Sequence, residues 1–171
     1  MSAPVVEIEE IAADECPECL AGNLNWLLTQ AHYTFGRELA AAFEPLGITP
    51  RGHSVLVAAI GGKHTQKELS ELIGLDKTTM VVTLDELEAA GLAKRVPSPV
   101  DRRARVVEVT AAGNKKIRQA NEIAARIQTD VLSSLGDTDA GDALMETLGR
   151  LIRTRGSDLV TCKGIRRREP R

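Results

Sequence analysis

Residues 65–110 read TQKELSELIGLDKTTMVVTLDELEAAGLAKRVPSPVDRRARVVEVT. Thr65 with Glu68 three positions on forms a capping box. It opens a short helix whose apolar side is Leu69, Leu72 and Ile73, and Gly74 ends it. After the turn residue Leu75, Asp76 is placed as the N-cap of a longer helix that runs to Gly91. A short helix, a turn containing glycine and a longer helix make the helix-turn-helix pattern. LAKRV and ARVVEVT then read as two short strands joined by the polar loop PSPVDRR. A helix-turn-helix followed at once by a hairpin predicts a winged helix.

The second helix divides cleanly by face. Met80, Leu84 and Leu87 fall at i, i+4 and i+7 and share an inward side. Opposite them, at about 100° per residue, lie Thr78, Val82 and Asp85, with Val81 at the margin. Lys77 and Thr79 flank the first turn. Any surface helix can expose a threonine and a valine, but a small, hydroxyl-bearing face also suits a DNA major groove. Threonine can bond to bases or phosphates, and methyl groups can touch the thymine C5-methyl. The preceding helix would cross the DNA backbone, with Thr65, Gln66 and Lys67 presenting N–H groups and a cation to a phosphate.

The hairpin loop concentrates charge. Arg102, Arg103 and Arg105 crowd beside one acid, Asp101. Alone, such a loop would simply be solvated. Beside a recognition helix it lies over the adjacent minor groove, whose negative potential attracts arginine. Asp101 is expected to brace the loop by pairing with Arg103 or a neighbouring cation. Arg105, in the returning strand, either touches a phosphate from the side or faces water.

The rest of the chain frames this module. The 171 residues are 43% hydrophobic and 27% charged, with Trp26, Tyr33, Phe35 and Phe43 the only Trp, Tyr or Phe. Alanine and leucine must therefore carry the packing, which favours helices. Leu20, Leu24, Leu27, Leu28, Ala31, Phe35, Leu39 and Phe43 predict a first helix, stopped by Pro45 and Gly47. Thr49 and Pro50 open a short second one. Two long helices follow the hairpin, lined by Ile117, Ala120, Ala124, Ile127, Val131 and Leu135, and by Leu144, Leu148, Leu151 and Ile152. The net charge is −2, which does not exclude nucleic acid, because a local patch is what matters. Residues 1–19 carry six acids and no Lys or Arg, and residues 163–171 carry five basic residues and one acid. Both ends are expected to be solvated, disordered arms. No secretory n-region opens the sequence, and no apolar run nears the ~18–20 residues that span a bilayer. A cytoplasmic protein with no membrane partner is the expectation.

Residues 75–113 resemble the signature region of MarR-type winged-helix transcriptional regulators. The matching elements are the DK-T-T helix start, LDELEAAGL closing the recognition helix, and a D-R-R wing followed by V-x-V-T-x-x-G. With the order of flanking helices, the resemblance extends over about residues 20–156. It implies a mainly α fold with a small two-stranded β-wing. An acidic arm, 1–19, precedes a dimerisation region formed by 20–48 and 114–158. Residues 49–113 form the winged helix-turn-helix, and 159–171 a basic tail. It also implies a homodimer on double-stranded DNA, control of nearby genes, most simply repression, and release by a small, often phenolic or aromatic, effector. Lys77, Thr78 and Thr79 match recognition-helix positions, Asp101 the wing-bracing acid, and Arg102 and Arg103 the wing tip. Val82 departs from the family, which often has arginine or another polar residue there.

Other residues carry weaker signals. Trp26, His32, Arg51 and His53 fall where the resemblance places ligand pockets. Cys16, Cys19 and Cys162 could link chains on oxidation, which leaves a redox-responsive regulator, or a sensor that no longer binds specific DNA, as alternatives. Four paired zinc ligands are lacking. No cofactor is expected, and no catalytic motif, whether GxSxG, P-loop, GxGxxG or HExxH, is present, so no enzyme activity is expected.

Overall fold

The computed structural model describes residues 20–62, 64–98, 101, 103–136 and 138–161. The chain divides into two compact units, residues 1–37 and 38–171. The expected arms at 1–19 and 162–171 lie outside the described residues.

Helix α1 spans Leu24–Phe43 and enters the second unit at its C-terminal end. It begins at Leu24 rather than Leu20, because Asn23 caps it: the Trp26 amide donates to Asn23 Oδ1 at 3.0 Å. Leu20 is left in the preceding turn. Within the first unit Leu24, Leu27, Leu28 and Tyr33 are exposed. The helix stops at Phe43, and a 3-10 turn over Glu44–Leu46 carries the chain to Gly47, whose φ of 66° suits glycine.

The second unit is built on the expected winged helix. Helix α2 (Pro50–Ala58) is capped by Thr49, whose hydroxyl accepts from the Gly52 amide at 3.0 Å. Helix α3 (Gln66–Ile73) has the expected capping box, and Gly74 at φ 76° turns the chain into α4 (Lys77–Ala89). Strands β1 (Ala93–Pro97) and β2 (Arg105–Val109) pair antiparallel, with Lys94 opposite Glu108 and Pro97 opposite Arg105. The wing is also stitched to the start of α3: Thr65 bridges Val106, and the Val107 amide donates to the His64 carbonyl at 3.1 Å.

Helix α5 spans Ala111–Ser133. Thr110 caps it, and its hydroxyl also donates to the Gly91 carbonyl at 2.8 Å. One side chain thus ties the start of α5 to the end of α4. Gly113 lets them meet, since a Cβ there would lie 2.1 Å from the Leu92 carbonyl oxygen. Helix α6 spans Thr138–Thr161, so residues 159–161, expected in the tail, continue the helix.

The core follows from these faces. Phe43, Val55, Leu56, Leu69, Met80, Leu84, Val107 and Ala120 are fully buried in one cluster, with Leu87, Leu92 and Ile117 nearly so. Each such leucine contributes roughly 1.5–3 kcal/mol over an exposed one. Burial of Met80, Leu84 and Leu87 fixes which side of α4 is left for solvent. No helix among the described residues is long and apolar enough to cross a membrane.

Candidate nucleic-acid interface

The outward side of α4 is the one the periodicity implies. Thr78 and Asp85 are exposed, and Val82 keeps 46% of its surface. At the helix start, Asp76 accepts from the Thr79 amide at 3.0 Å and the Thr79 hydroxyl at 2.5 Å. Those two bonds, the hydroxyl's first, hold the Asp76 carboxyl below the usual carboxylate range. The Thr79 hydroxyl is therefore committed to the cap, while Lys77 and Thr78 stay on the exposed side.

The N-terminus of α3 is similarly closed on itself. Glu68 accepts from the Thr65 amide at 2.7 Å and its hydroxyl at 2.9 Å, which holds the Glu68 carboxyl low. Lys67 is exposed, with only a loose 4.0 Å pair to Glu71.

The wing tip has its own scaffold. The Ser98 amide donates to the Ala104 carbonyl at 3.0 Å, and the Ala104 amide to the Asp101 carbonyl at 2.9 Å. Asp101 braces the loop, and among the described residues it does so through a backbone amide. Its Oδ1 accepts from the Arg103 backbone amide at 2.9 Å, a side chain-to-backbone turn. The Arg103 guanidinium is left out of that contact. Arg103 and Arg105 are exposed, and among the described residues neither pairs with a carboxylate. Arg102 lies outside the described residues, as do Cys16, Cys19 and Cys162.

Two arginines that the sequence did not assign to this region flank α4. Arg95 on β1 donates from its amide to Glu88 Oε1 at 2.5 Å and from Nε to Glu88 Oε2 at 2.9 Å. Its Nη2 reaches both Glu88 and Asp85. The guanidinium holds the Glu88 carboxyl below its ordinary value, and the two carboxylates push Arg95 up. Asp85, on the exposed side of α4, is thus paired with a cation. On the other flank, Arg51 donates from Nε to the buried Thr83 hydroxyl at 2.9 Å. A lone polar residue in the stripe Met80, Thr83, Leu84, Leu87 was the sequence signal for that partner.

Arg51 and His53 make separate contacts. His53 donates from Nε2 to Asn121 Oδ1 at 2.7 Å and meets Phe43 edge-on at 5.3 Å, joining α2 to α5. Neither lines an open cleft of about 650 Å³ among Ala40, Glu44, Ile48, Pro50, Glu86 and Leu87. Trp26 and His32 belong to the first unit, the one half-buried and the other exposed.

The comparisons with known proteins fall on the same region. The MarR family model matches residues 46–104, from the 3-10 turn to the end of the wing loop. A Thauera aromatica protein described as a candidate transcriptional regulatory protein for the hcr operon is 28% identical over 136 residues, 78% of this chain and 81% of its own length. The transcriptional repressor CouR bound to a 23-mer DNA duplex is similar at 29% identity and a TM-score of 0.68, covering 75% of this chain and 91% of that one. CouR bound to p-coumaroyl-CoA is similar at 28% identity and a TM-score of 0.66, covering 76% and 91%.

Proposed function

We propose that this chain, whose residues 46–104 match the MarR family model, is a DNA-binding transcriptional repressor of that family. It acts as a homodimer on a pseudo-palindromic operator, with α4 in the major groove and the wing over the minor groove. The observation that carries the reading is the exposed Thr78–Val82 side of α4, set beside a wing whose Arg103 and Arg105 face solvent. Lys77 and Thr78 meet bases or nearby phosphates. Val82 offers only methyl contacts, so thymine is its natural partner. Thr65, Gln66 and Lys67 lie along the backbone, and Arg102 and Arg103 supply the wing's charge. The DNA-bound relative supports this assignment.

The relative bound to p-coumaroyl-CoA supports release by an effector that carries an aromatic group. The cleft beside Ile48 and Leu87 has a suitable volume for such a molecule. Glu44 and Glu86 on its walls favour a neutral or cationic ring over an anionic one.

Footprinting on DNA upstream of the chain's own gene tests the reading. The expected result is protection of two half-sites about 10 bp apart, one helical turn, with affinity falling steeply as salt rises. Salt-steep binding with no preference over random duplex would defeat the operator assignment.

A further inference from the structure

The exposed ridge of α4 has an arginine on each flank, and the two are held in opposite ways. Arg95 meets two carboxylates, Asp85 and Glu88. Arg51, in the first turn of α2, meets a neutral hydroxyl. Its Nε donates to Thr83 Oγ1 at 2.9 Å, and that hydroxyl sends its own proton to the Thr79 carbonyl at 2.7 Å. Thr83 is 0% exposed, so the anchor is fixed by packing, while Arg51 itself is exposed. Among the described residues no carboxylate pairs with Arg51. A neutral anchor leaves the full positive charge, and among the described residues the Nη donors of the guanidinium fork stay free.

The position of this cation is informative. At about 100° per residue, Thr79 and Thr83 lie about 100° and 140° round the helix from Thr78. Asp85 and Glu88 lie on the other side. Arg51 therefore stands on the flank away from Arg95 and its strand. A helix in a major groove has a sugar-phosphate backbone along each side. We propose that Arg51 is a preorganised phosphate contact, held against the recognition helix by Thr83, on the backbone opposite the β1 flank. Fixing Nε in advance lowers the side-chain ordering cost of meeting the phosphate. Its bond to a recognition-helix residue, and its absence from the lining of the 650 Å³ cleft, favour DNA over an effector as its partner. The inference rests on the DNA-binding reading above.

The test uses the full chain and the footprinted operator duplex, with a scrambled duplex beside it, titrated over a range of salt concentrations. Thermal melts confirm that each variant is folded. Arg51→Ala should weaken operator binding about tenfold or more at low salt and lower the salt slope by about 0.9 per protomer, leaving the operator-to-scrambled ratio unchanged. Arg51→Lys should recover the slope with only part of the affinity, because lysine has no Nε anchor. Thr83→Val keeps the shape and the arginine, and should retain the slope while losing affinity several-fold. A wild-type slope in Arg51→Ala, with wild-type protein binding its operator, overturns the inference alone. A fall in the operator-to-scrambled ratio at unchanged slope also overturns it, since Arg51 would then be reading a base. Absence of salt-dependent binding by the wild type overturns the DNA reading and this inference with it.

Discussion

Arg95 binds Glu88 twice over, through its backbone amide at 2.5 Å and through its guanidinium at 2.9 Å. One carboxylate therefore fixes both the strand and the side chain of β1 against α4. Both groups keep about a quarter of their side-chain surface, so the bonds are partly shielded from water. Removing one partner should cost about 1.5–3 kcal/mol, the range for hydrogen bonds to charged groups. Denaturant unfolding of Glu88→Ala, Arg95→Ala and the double variant should give a coupling energy of at least about 0.5 kcal/mol. Additive effects would mean that the contact is incidental.

The same pair makes stability depend on acid. Glu88 has a depressed carboxyl in the folded chain because Arg95 donates to its charged form. Its stabilisation is therefore complete above the range where an ordinary glutamate titrates, about pH 4.3, and is lost as pH falls through the lower folded value. Glu68 and Asp76, also depressed, add to the same trend. The melting temperature should fall below about pH 4. The gap between wild type and Glu88→Gln should narrow over that interval, and a gap constant with pH would contradict the assignment.

Among the described glycines, Gly113 has the least room for a side chain. An alanine methyl there would sit 2.1 Å from the Leu92 carbonyl oxygen and 2.8 Å from Val109 Cγ1. Leu92 is backbone, so α5 itself must move. Gly113→Ala should destabilise by about 1–3 kcal/mol or more. At Gly22 and Gly36 nothing lies within 4 Å of an added Cβ, so alanine there should be tolerated. Chemical denaturation of the three variants distinguishes the sites.

The scaffold was legible because it rests on local signals. Thr49, Thr65 and Asp76 each announce a helix start through a side chain that reaches three residues ahead. The spacing of Met80, Leu84 and Leu87 sets the buried side of α4 without reference to any other element. What could not be read were contacts between elements distant in sequence. The Arg51–Thr83 bond joins residues 32 apart, and the Thr65–Val106 bridge stitches a helix cap to a strand. Their geometry depends on how α2, α3 and β2 pack, which periodicity does not encode. Asp101 is an intermediate case. Its bracing role was visible in the loop composition, but the contact seen among the described residues is with the amide two residues ahead.

The proposed interface would divide into positioning and reading residues, and the two should respond differently. Arg103 is exposed at the wing, with its guanidinium outside the Asp101 contact. Arg103→Ala should weaken all duplexes alike and reduce the salt slope. Thr78→Ala, on the exposed side of α4, should leave the slope intact and shift base preference by about 1 kcal/mol or more at the affected position. Binding to a panel of single-base operator variants separates the outcomes. Identical profiles would end the division.

Helix α6 leaves a row of apolar side chains uncovered. Leu144, Met145 and Leu151 are exposed, and Ile152 keeps 69% of its surface. Monomeric proteins seldom leave contiguous apolar patches in water, so these residues are suited to the two-fold contact proposed above. Burying a charge there without a partner costs several kcal/mol, whereas a charge on a solvated helix surface costs almost nothing. Ile152→Glu should therefore convert the dimer to monomer in sedimentation equilibrium while the monomer's helical circular dichroism persists. The variant should also lose operator affinity, because a lone protomer binds one half-site and forfeits the gain from engaging two at once. A variant that remains dimeric with wild-type affinity would remove α6 from the interface.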